Sequence, residues 1–327
     1  DNYMHNGLGK VALNLEDYRA VYAYVWSQPS IRKLLKNLPV FMMMDDHEVD
    51  DDWAWTDVSR TKAKIPVWNK LIRWRHGCSP EEWHLPVSRV KDALRAYWEH
   101  QGMHAPQFEI PLHVNKTGTY TLQKGDPGSL AYTFEYGAAA FFVLDTRTMR
   151  VKGKNQRIML GKGQWEALKD WLLKVNEHYP VIFLVSSCSV FFDMWADIPQ
   201  DRWAGFREER EHLLHFLAAN EIQNLFILTG DLHSAHALQV NLYGPMGESI
   251  PLWEFCSSPF EQKGNWLAKY TYRKLKSDVV KYQKLHFIYS KNNFGVVNVD
   301  FNESGTSLVK FSLHNEQGKS VGDVEIG

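Results

Sequence analysis

The sequence predicts an α/β fold, because apolar runs of strand length alternate along the chain with stretches whose apolar residues recur at helical spacing. The runs are continuously apolar, which indicates strands that are covered on both faces. No linker, internal repeat or low-complexity segment interrupts the 327 residues. We therefore predict a single domain over residues 1–327.

The first half of the chain opens with a helical pattern, "LEDYRAVYAYVW", and the apolar run at residues 39–44 ("PVFMMM") predicts the first strand. A second helix, "PVSRVKDALRAYWEH", has an apolar face at Val87, Val90, Leu94 and Tyr97. A hairpin is predicted around residues 125–128, and it leads into a buried strand that ends at Asp145.

The second half continues the alternation with the helix "GQWEALKDWLLKVN", the strand "VIFLVSS", the helix "REEREHLLHFLAAN" and the strand "NLFILTG". The tail, "FGVVNVDFNESGTSLVKFSLH", predicts a closing antiparallel hairpin. Residues 263–284 are basic and carry aromatic side chains, a composition that can bind nucleic acid. We favour a solvated basic amphipathic helix there over a nucleic-acid site.

Composition narrows the class of partner. The 37 basic residues nearly balance the 38 acidic ones, which favours a small-molecule partner over nucleic acid. The three cysteines, Cys78, Cys188 and Cys256, are widely separated, so we expect reduced thiols rather than disulfides or a cysteine zinc site. No run of 18 apolar residues predicts a membrane segment, and the sequence does not identify a compartment or an oligomeric state.

Polar residues, among them acids and imidazoles, follow the predicted strands at the edge where open α/β sheets bind ligands. They are Asp45, Asp46, His47 and Glu48, then Asp145 and Arg147, then Ser186, Ser187 and Cys188, and finally Asp231, His233 and His236. Carboxylate oxygen and imidazole nitrogen bind divalent and trivalent metals.

The segment at residues 45–52 poses the sharpest question, because it packs six carboxylates and one histidine into eight positions. Like charges at this spacing need a nearby positive charge, which a metal would supply. For Asp50, Asp51 and Asp52 we favour a solvated turn or a helix cap, with metal binding or support of His47 as the alternative.

An ordered set of motifs resembles one family. "DDHEVDDDW", "FFVLDTRTMR", "LGKGQWEALKDWL", "DRWAGFREERE", "LTGDLHSAHAL", "EFCSSPFE" and "NNFGVVNVD" are similar to segments of the alkaline phosphatase D (PhoD)-like metallophosphatases, within the binuclear metallophosphoesterase group. The resemblance implies a sandwich of two β-sheets flanked by helices. It also implies two divalent or trivalent metal ions, such as Fe, Ca, Zn or Mn, bridged by a hydroxide that attacks a phosphate mono- or diester in line.

By this resemblance, Asp46, Asp231 and His233 are expected to bind metal and His47 to act as the general acid. Arg147 is a candidate for binding the substrate phosphoryl group, because a guanidinium binds phosphate in a bidentate manner. The alternatives are a merely hydrogen-bonded His47 at a strand end and an Arg147 that pairs with Asp145. His236 is expected to anchor its loop and stays outside the ligand set.

Two departures from the family pattern leave other functions open. The segment "VSSCSV" lacks the histidine that many binuclear phosphoesterases carry there, and no GDxxY-type turn precedes residue 39, so we expect that turn further upstream. The alternatives are a non-catalytic phosphoesterase-like binding module and a mononuclear iron oxygenase, with Asp231, His233 and a distant histidine as its facial triad. A Ser or Cys nucleophile in "SSCS" lacks the GxSxG elbow.

Overall fold

The computed structural model describes residues 7–54, 85–102, 129–153, 157–195, 201–301 and 307–327, and the backbone of residues 112–114 and 120–122. It divides into two compact units. The first unit is Asp1–Leu130 with Asp145–Ile158, and the second is Ala131–Leu144 with Met159–Gly327.

The α-helices of the described residues are α1 Leu15–Ser27, α2 Pro29–Asn37, α3 Val87–His100, α4 Gly161–Asn176, α5 Arg207–Ala219 and α6 Ala268–Thr271. The strands are β1 Leu112–Val114, β2 Tyr120–Leu122, β3 Tyr132–Tyr136, β4 Ala139–Val143, β5 Val151–Lys152, β6 Arg157–Ile158, β7 Val181–Cys188, β8 Asp193–Met194, β9 Leu225–Gly230, β10 Ala235–Tyr243, β11 Ser249–Cys256, β12 Tyr272–Arg273, β13 Val280–Tyr289, β14 Asn293–Phe301, β15 Ser307–Asn315 and β16 Ser320–Ile326.

The first unit is built on α1 and α3, whose predicted positions are confirmed. Helix α1 begins where the Asn14 side chain accepts a hydrogen bond from the backbone N–H of Asp17, 3.1 Å away, which satisfies an otherwise unpaired donor of the first turn. Tyr18 of α1 and Val90, Leu94 and Tyr97 of α3 share one buried apolar cluster. Packing of the two apolar faces therefore holds this unit together.

The strand predicted at residues 39–44 is wrong, because this segment forms no strand and only Met44 within it is buried. An apolar composition favours an extended backbone, but a strand also needs a neighbour that completes its hydrogen-bond ladder. The hairpin turn predicted around residues 125–128 lies outside the described residues.

The second unit contains a seven-stranded sheet in the order β13-β10-β11-β9-β7-β4-β3. Its centre, β4, β7, β9 and β11, is parallel, and β3, β10 and β13 add antiparallel edges. The parallel order of β4, β7 and β9 follows from the alternation of helices and strands that the sequence shows, because the crossovers through α4 and α5 return the chain to the same end of the sheet. Strand β11 is parallel to β9 because the antiparallel strand β10 lies between them in the chain.

The sheet is covered on both faces, as its continuous apolar strands predict. Ile182 and Leu184 of β7 share one buried cluster with Leu168 of α4 and Leu214 of α5. On the other face the sheet packs against the antiparallel sheet β14-β15-β16, and Phe255 stacks on Phe311 with ring centroids 4.6 Å apart. This arrangement confirms the α/β sandwich of two β-sheets flanked by helices.

The amphipathic helix predicted over residues 263–284 is wrong. That stretch contains the four-residue α6, the short β12 and the start of β13, which pairs with β10 along the sheet edge. Lysines and tyrosines are compatible with an edge strand, so the ladder with β10 overrides the helical spacing. Among the described residues, no helix is both long enough and apolar enough to cross a membrane.

Candidate functional site

In the first unit, the acidic segment folds as a tight turn around Asp46. The Asp46 carboxylate accepts hydrogen bonds from the backbone N–H groups of His47, at 2.8 Å, and Asp52, at 2.9 Å. The Asp46 carbonyl accepts another from the N–H of Asp50, at 2.8 Å. Asp46 itself is only 5% exposed. Backbone donors thus stabilise a buried negative charge and fix its orientation.

Asp46, His47 and Asp51 form a group that could hold a metal ion, because one ligand atom from each lies within 4.8 Å of the others. The His47 Nε2 is 3.7 Å from an Asp51 carboxylate oxygen. Burial is the largest influence on the pKa of His47 and lowers it, but the negative charges of Asp46 and Asp51 raise it above the usual value. The structure therefore brings the predicted ligand and the predicted acid together.

A guanidinium supplies part of the positive charge that the acidic segment requires. The fully buried Arg147 donates from Nε to Asp45 at 2.7 Å, and its Nη2 lies 3.8 Å from the Asp46 carboxylate. The Asp145 carboxylate accepts from the backbone N–H groups of Arg147, at 3.0 Å, and Leu130, at 2.8 Å. Asp145 thus shapes its own loop, and the Arg147 guanidinium faces the acidic segment.

Asp50 corrects the expectation of a solvated turn. It is 7% exposed and pairs with the buried Arg89 of α3, with 3.4 Å between the Arg89 Nη2 and the Asp50 carboxylate. Arg89 also donates to the carbonyl of Ala12 at 2.9 Å. Asp50 therefore connects the acidic segment to α3, and the guanidinium of Arg89 compensates the buried charge of Asp50.

In the second unit, Asp231 and His233 lie on the turn between β9 and β10. We define this turn, residues 231–234, as the Asp231 turn. Both residues have left-handed backbones, with φ of 63° at Asp231 and 55° at His233. Residues other than glycine adopt this conformation at a cost in free energy, and such strain is concentrated at functional sites. The two candidate ligands thus occupy an unusually constrained turn.

A backbone carbonyl orients the His233 ring. Its Nδ1 lies 3.0 Å from the carbonyl oxygen of Lys263. Because a carbonyl only accepts hydrogen bonds, Nδ1 carries a proton, and in the neutral ring the lone pair is then on Nε2. Main-chain bonds hold the residue on both sides, from the N–H of His233 to the Ser258 hydroxyl at 3.0 Å and from the N–H of Asn265 to the His233 carbonyl at 2.7 Å. Such secondary contacts typically orient histidine ligands.

His236 anchors the loop, as predicted, and its partner Glu254 is a residue that sequence reasoning missed. Both side chains are fully buried, and the His236 Nε2 lies 2.9 Å from the Glu254 carboxylate. Burial, the largest influence, opposes protonation of His236, but contacts with Cys256 and Glu254 raise its pKa to about 10. The sequence did contain a signal for Glu254, since a carboxylate inside the apolar strand "LWEFC" is expected to be buried. A buried acid needs a partner that compensates its charge.

Two of the three cysteines, Cys188 and Cys256, are buried in the second unit, and Cys78 lies outside the described part of the chain. Where a histidine ligand was missing from "VSSCSV", the Ser186 hydroxyl instead donates to the Cys188 carbonyl at 2.7 Å. The Ser186 hydroxyl is therefore bonded to the backbone of its own strand.

Comparison with known proteins agrees with the motifs. The sequence pattern of the family described as "PhoD-like phosphatase" matches residues 2–308. "Alkaline phosphatase D" of Bacillus subtilis (strain 168) is 27% identical over an alignment of 252 residues, and the match covers 70% of this chain and 37% of that protein. A solved structure described as "Structure of PhoD" has a TM-score of 0.56 at 19% identity, and the match covers 96% of this chain and 60% of the other. The chain thus spans less than two thirds of either relative.

Proposed function

The chain belongs to the PhoD-like phosphatase family, and from this premise we propose that it hydrolyses phosphate mono- or diesters with the help of bound metal ions. The substrate class follows from the family, and the metal requirement follows from the donor set. Carboxylates and imidazoles that are already oriented by backbone groups are the ligands that hydrolytic metal centres use.

We assign Asp46, Asp231 and His233 as metal ligands, for two divalent or trivalent ions. The observation that carries this assignment is the His233 ring, whose Nδ1 is held by the Lys263 carbonyl while Asp231 shares the same turn. In the first unit, the buried Asp46 carboxylate, which the backbone N–H groups of His47 and Asp52 orient, gives independent support. The residues present therefore fit a metal ion.

When bound, the metal ions would activate a water molecule and stabilise the charge that develops at phosphorus. His47 would donate a proton to the leaving alcohol, and Asp51, 3.7 Å from its Nε2, would keep the imidazole protonated and oriented. The Arg147 guanidinium balances the charge of Asp45 and Asp46. The side chain is fully buried. The role of Arg147 in substrate binding stays a prediction.

The test is metal analysis of the purified intact protein together with assays on phosphate monoesters and diesters. Asp231→Asn and His233→Ala should lose bound metal and most hydrolysis together, because each removes a ligand. His314→Ala is the matched control for His233, since the His314 Nδ1 also lies 3.0 Å from a backbone carbonyl, that of Gly318. The control should keep both properties.

Two outcomes would overturn the proposal. Full metal content and turnover in Asp231→Asn and His233→Ala would exclude these ligands. A wild-type protein that binds inorganic phosphate and metal but hydrolyses neither ester class would instead favour the non-catalytic binding module.

A further inference from the structure

Glu254 of β11 joins the ends of several strands through one fully buried carboxylate. Its Oε1 accepts hydrogen bonds from the hydroxyls of Ser189 and Thr229 and from the His236 ring, and its Oε2 accepts them from the backbone N–H groups of Val190 and Phe191. Ser189, Val190 and Phe191 follow β7, Thr229 is in β9, and His236 is in β10.

The same carboxylate oxygen binds the chain on both sides of the Asp231 turn. Thr229 stands two residues before Asp231, and its hydroxyl lies 3.3 Å from Oε1. His236 stands three residues after His233, and its Nε2 lies 2.9 Å from that atom. The backbones of both residues pair with Cys256 of β11, and the two bonds to this one atom add a side-chain closure at the base of the turn. Residues 229 and 236 therefore cannot separate without also breaking a bond to a buried charge.

The turn needs this restraint because Asp231 and His233 are both left-handed. A strained backbone persists only where its surroundings over-determine it. Other contacts act inside the turn itself, at His233 through Ser258 and Asn265 and at Ser234 through the hydroxyl of Ser290. The bonds from Thr229 and His236 to Glu254 instead restrain the two ends between which both candidate ligands lie.

We propose that Glu254 is a positioning residue, which holds the Asp231 turn in the conformation that presents the Asp231 carboxylate and the His233 imidazole to a metal ion. The inference rests on the proposed function for the ligand roles. The buried pair with His236 strengthens the restraint, because the imidazolium carries a charge opposite to that of Glu254.

The test compares two hydroxyl deletions. Thr229→Val removes the bond on the side of the turn, and Ser189→Ala removes a bond to the same Oε1 from the β7 side. Hydrogen exchange in the metal-free protein should accelerate about tenfold at the Leu232 and His233 amides in Thr229→Val, the effect of losing roughly one hydrogen bond. Ser189→Ala should leave these amides unchanged, although both variants lose some stability.

A second measurement uses Mn²⁺ as the probe. Thr229→Val should require about tenfold more Mn²⁺ for half-maximal hydrolysis and recover wild-type turnover at saturating Mn²⁺, whereas Ser189→Ala should show the wild-type Mn²⁺ dependence. Glu254→Gln should raise the Mn²⁺ requirement more than Thr229→Val does. If Glu254→Gln does not fold, Thr229→Val still decides the test. A purely structural role would lower stability without shifting the Mn²⁺ dependence.

The outcomes separate the two proposals. Equal exchange at Leu232 and His233 in both hydroxyl variants, or an unchanged Mn²⁺ dependence of an active Thr229→Val, would overturn the positioning role and leave the proposed function intact. Faster exchange in Thr229→Val, with a wild-type protein that hydrolyses no phosphoester, would support the restraint on the turn and overturn the proposed function.

Discussion

At the level of single residues, His47 has the surroundings that a proton donor needs. Burial favours the neutral ring, but the carboxylates of Asp46 and Asp51 outweigh it and raise the pKa. An imidazole with a raised pKa stays protonated further into the neutral range, so it can give its proton to a leaving alcohol.

His47→Ala should therefore lose turnover by a factor of roughly 10² to 10⁴, the usual contribution of a positioned acid. The loss should shrink for nitrophenyl esters, whose leaving groups need little protonation. The control is His100→Ala, which removes a different histidine of the first unit and should stay active. The Nδ1 of His100 contacts the backbone carbonyl of Ala96. Equal losses for good and poor leaving groups would argue against acid catalysis by His47.

The role of Asp231 is expected to depend on its carboxylate and not on its left-handed backbone. Asp231→Gly should keep or slightly raise the free energy of unfolding, by up to about 1 kcal/mol, because glycine relieves the left-handed conformation but adds entropy to the unfolded chain. Its metal content should fall. Glu221→Gly, at another left-handed residue with φ of 50°, should match it in stability and retain metal. Wild-type metal content in Asp231→Gly would contradict this prediction.

At the level of elements, the ends of β7, β9, β10 and β11 meet on the His236–Glu254 pair. The pKa of His236 is raised from 6.5 to about 10. The charge of His236 therefore contributes fully to the free energy of unfolding below pH 6.5, and this contribution is lost as the pH rises through about 10. Burial opposes ionisation of Glu254, but His236 and neighbouring donors lower its pKa. Its contribution is therefore present above 4.5 and is lost on the acid side.

The difference in free energy of unfolding between wild type and His236→Asn should accordingly narrow as pH rises from neutral to above about 10. His286→Asn is the control, because burial lowers the pKa of His286, the opposite direction to the shift at His236. Denaturant unfolding at a series of pH values measures both differences. A His236 difference that stays constant up to about pH 11, roughly a unit above the pKa of the ring, would contradict the charged pair.

At the level of the whole molecule, each compact unit has an apolar cluster of its own, and in the second unit apolar side chains cover both faces of the large sheet. Burial of this surface supplies most of the free energy of folding. The candidate ligands lie on turns outside these clusters. The fold should therefore survive the loss of its metal ions.

Chelation with EDTA should abolish hydrolysis while the near-ultraviolet circular dichroism stays unchanged and the melting temperature falls by roughly a few degrees, the effect of removing a bound ligand. Adding metal back should restore activity without a refolding step. Loss of the near-ultraviolet signal on chelation would show that metal binding and folding are coupled, contrary to this prediction.

Sequence reasoning predicted the second unit well because its signals are local. The periodicity of α4 and α5 and the apolar runs of β7 and β9 depend on residues that are near one another in the chain. It failed at residues 39–44 and 263–284, where the outcome depends on which distant segment completes a hydrogen-bond ladder. The apolar pattern of a short segment does not identify that partner.

The sequence by itself determined the kinds of chemistry available: the carboxylates around His47, the Asp231 and His233 pair two residues apart, and the family to which the ordered motifs belong. Only the tertiary structure decided which charges compensate one another. Arg147 meets Asp45 across 102 positions of the chain, and Ser189 meets Glu254 across 65. The sequence decides which side chains can ionise, but the stability of a buried charge depends on partners that folding brings from distant parts of the chain.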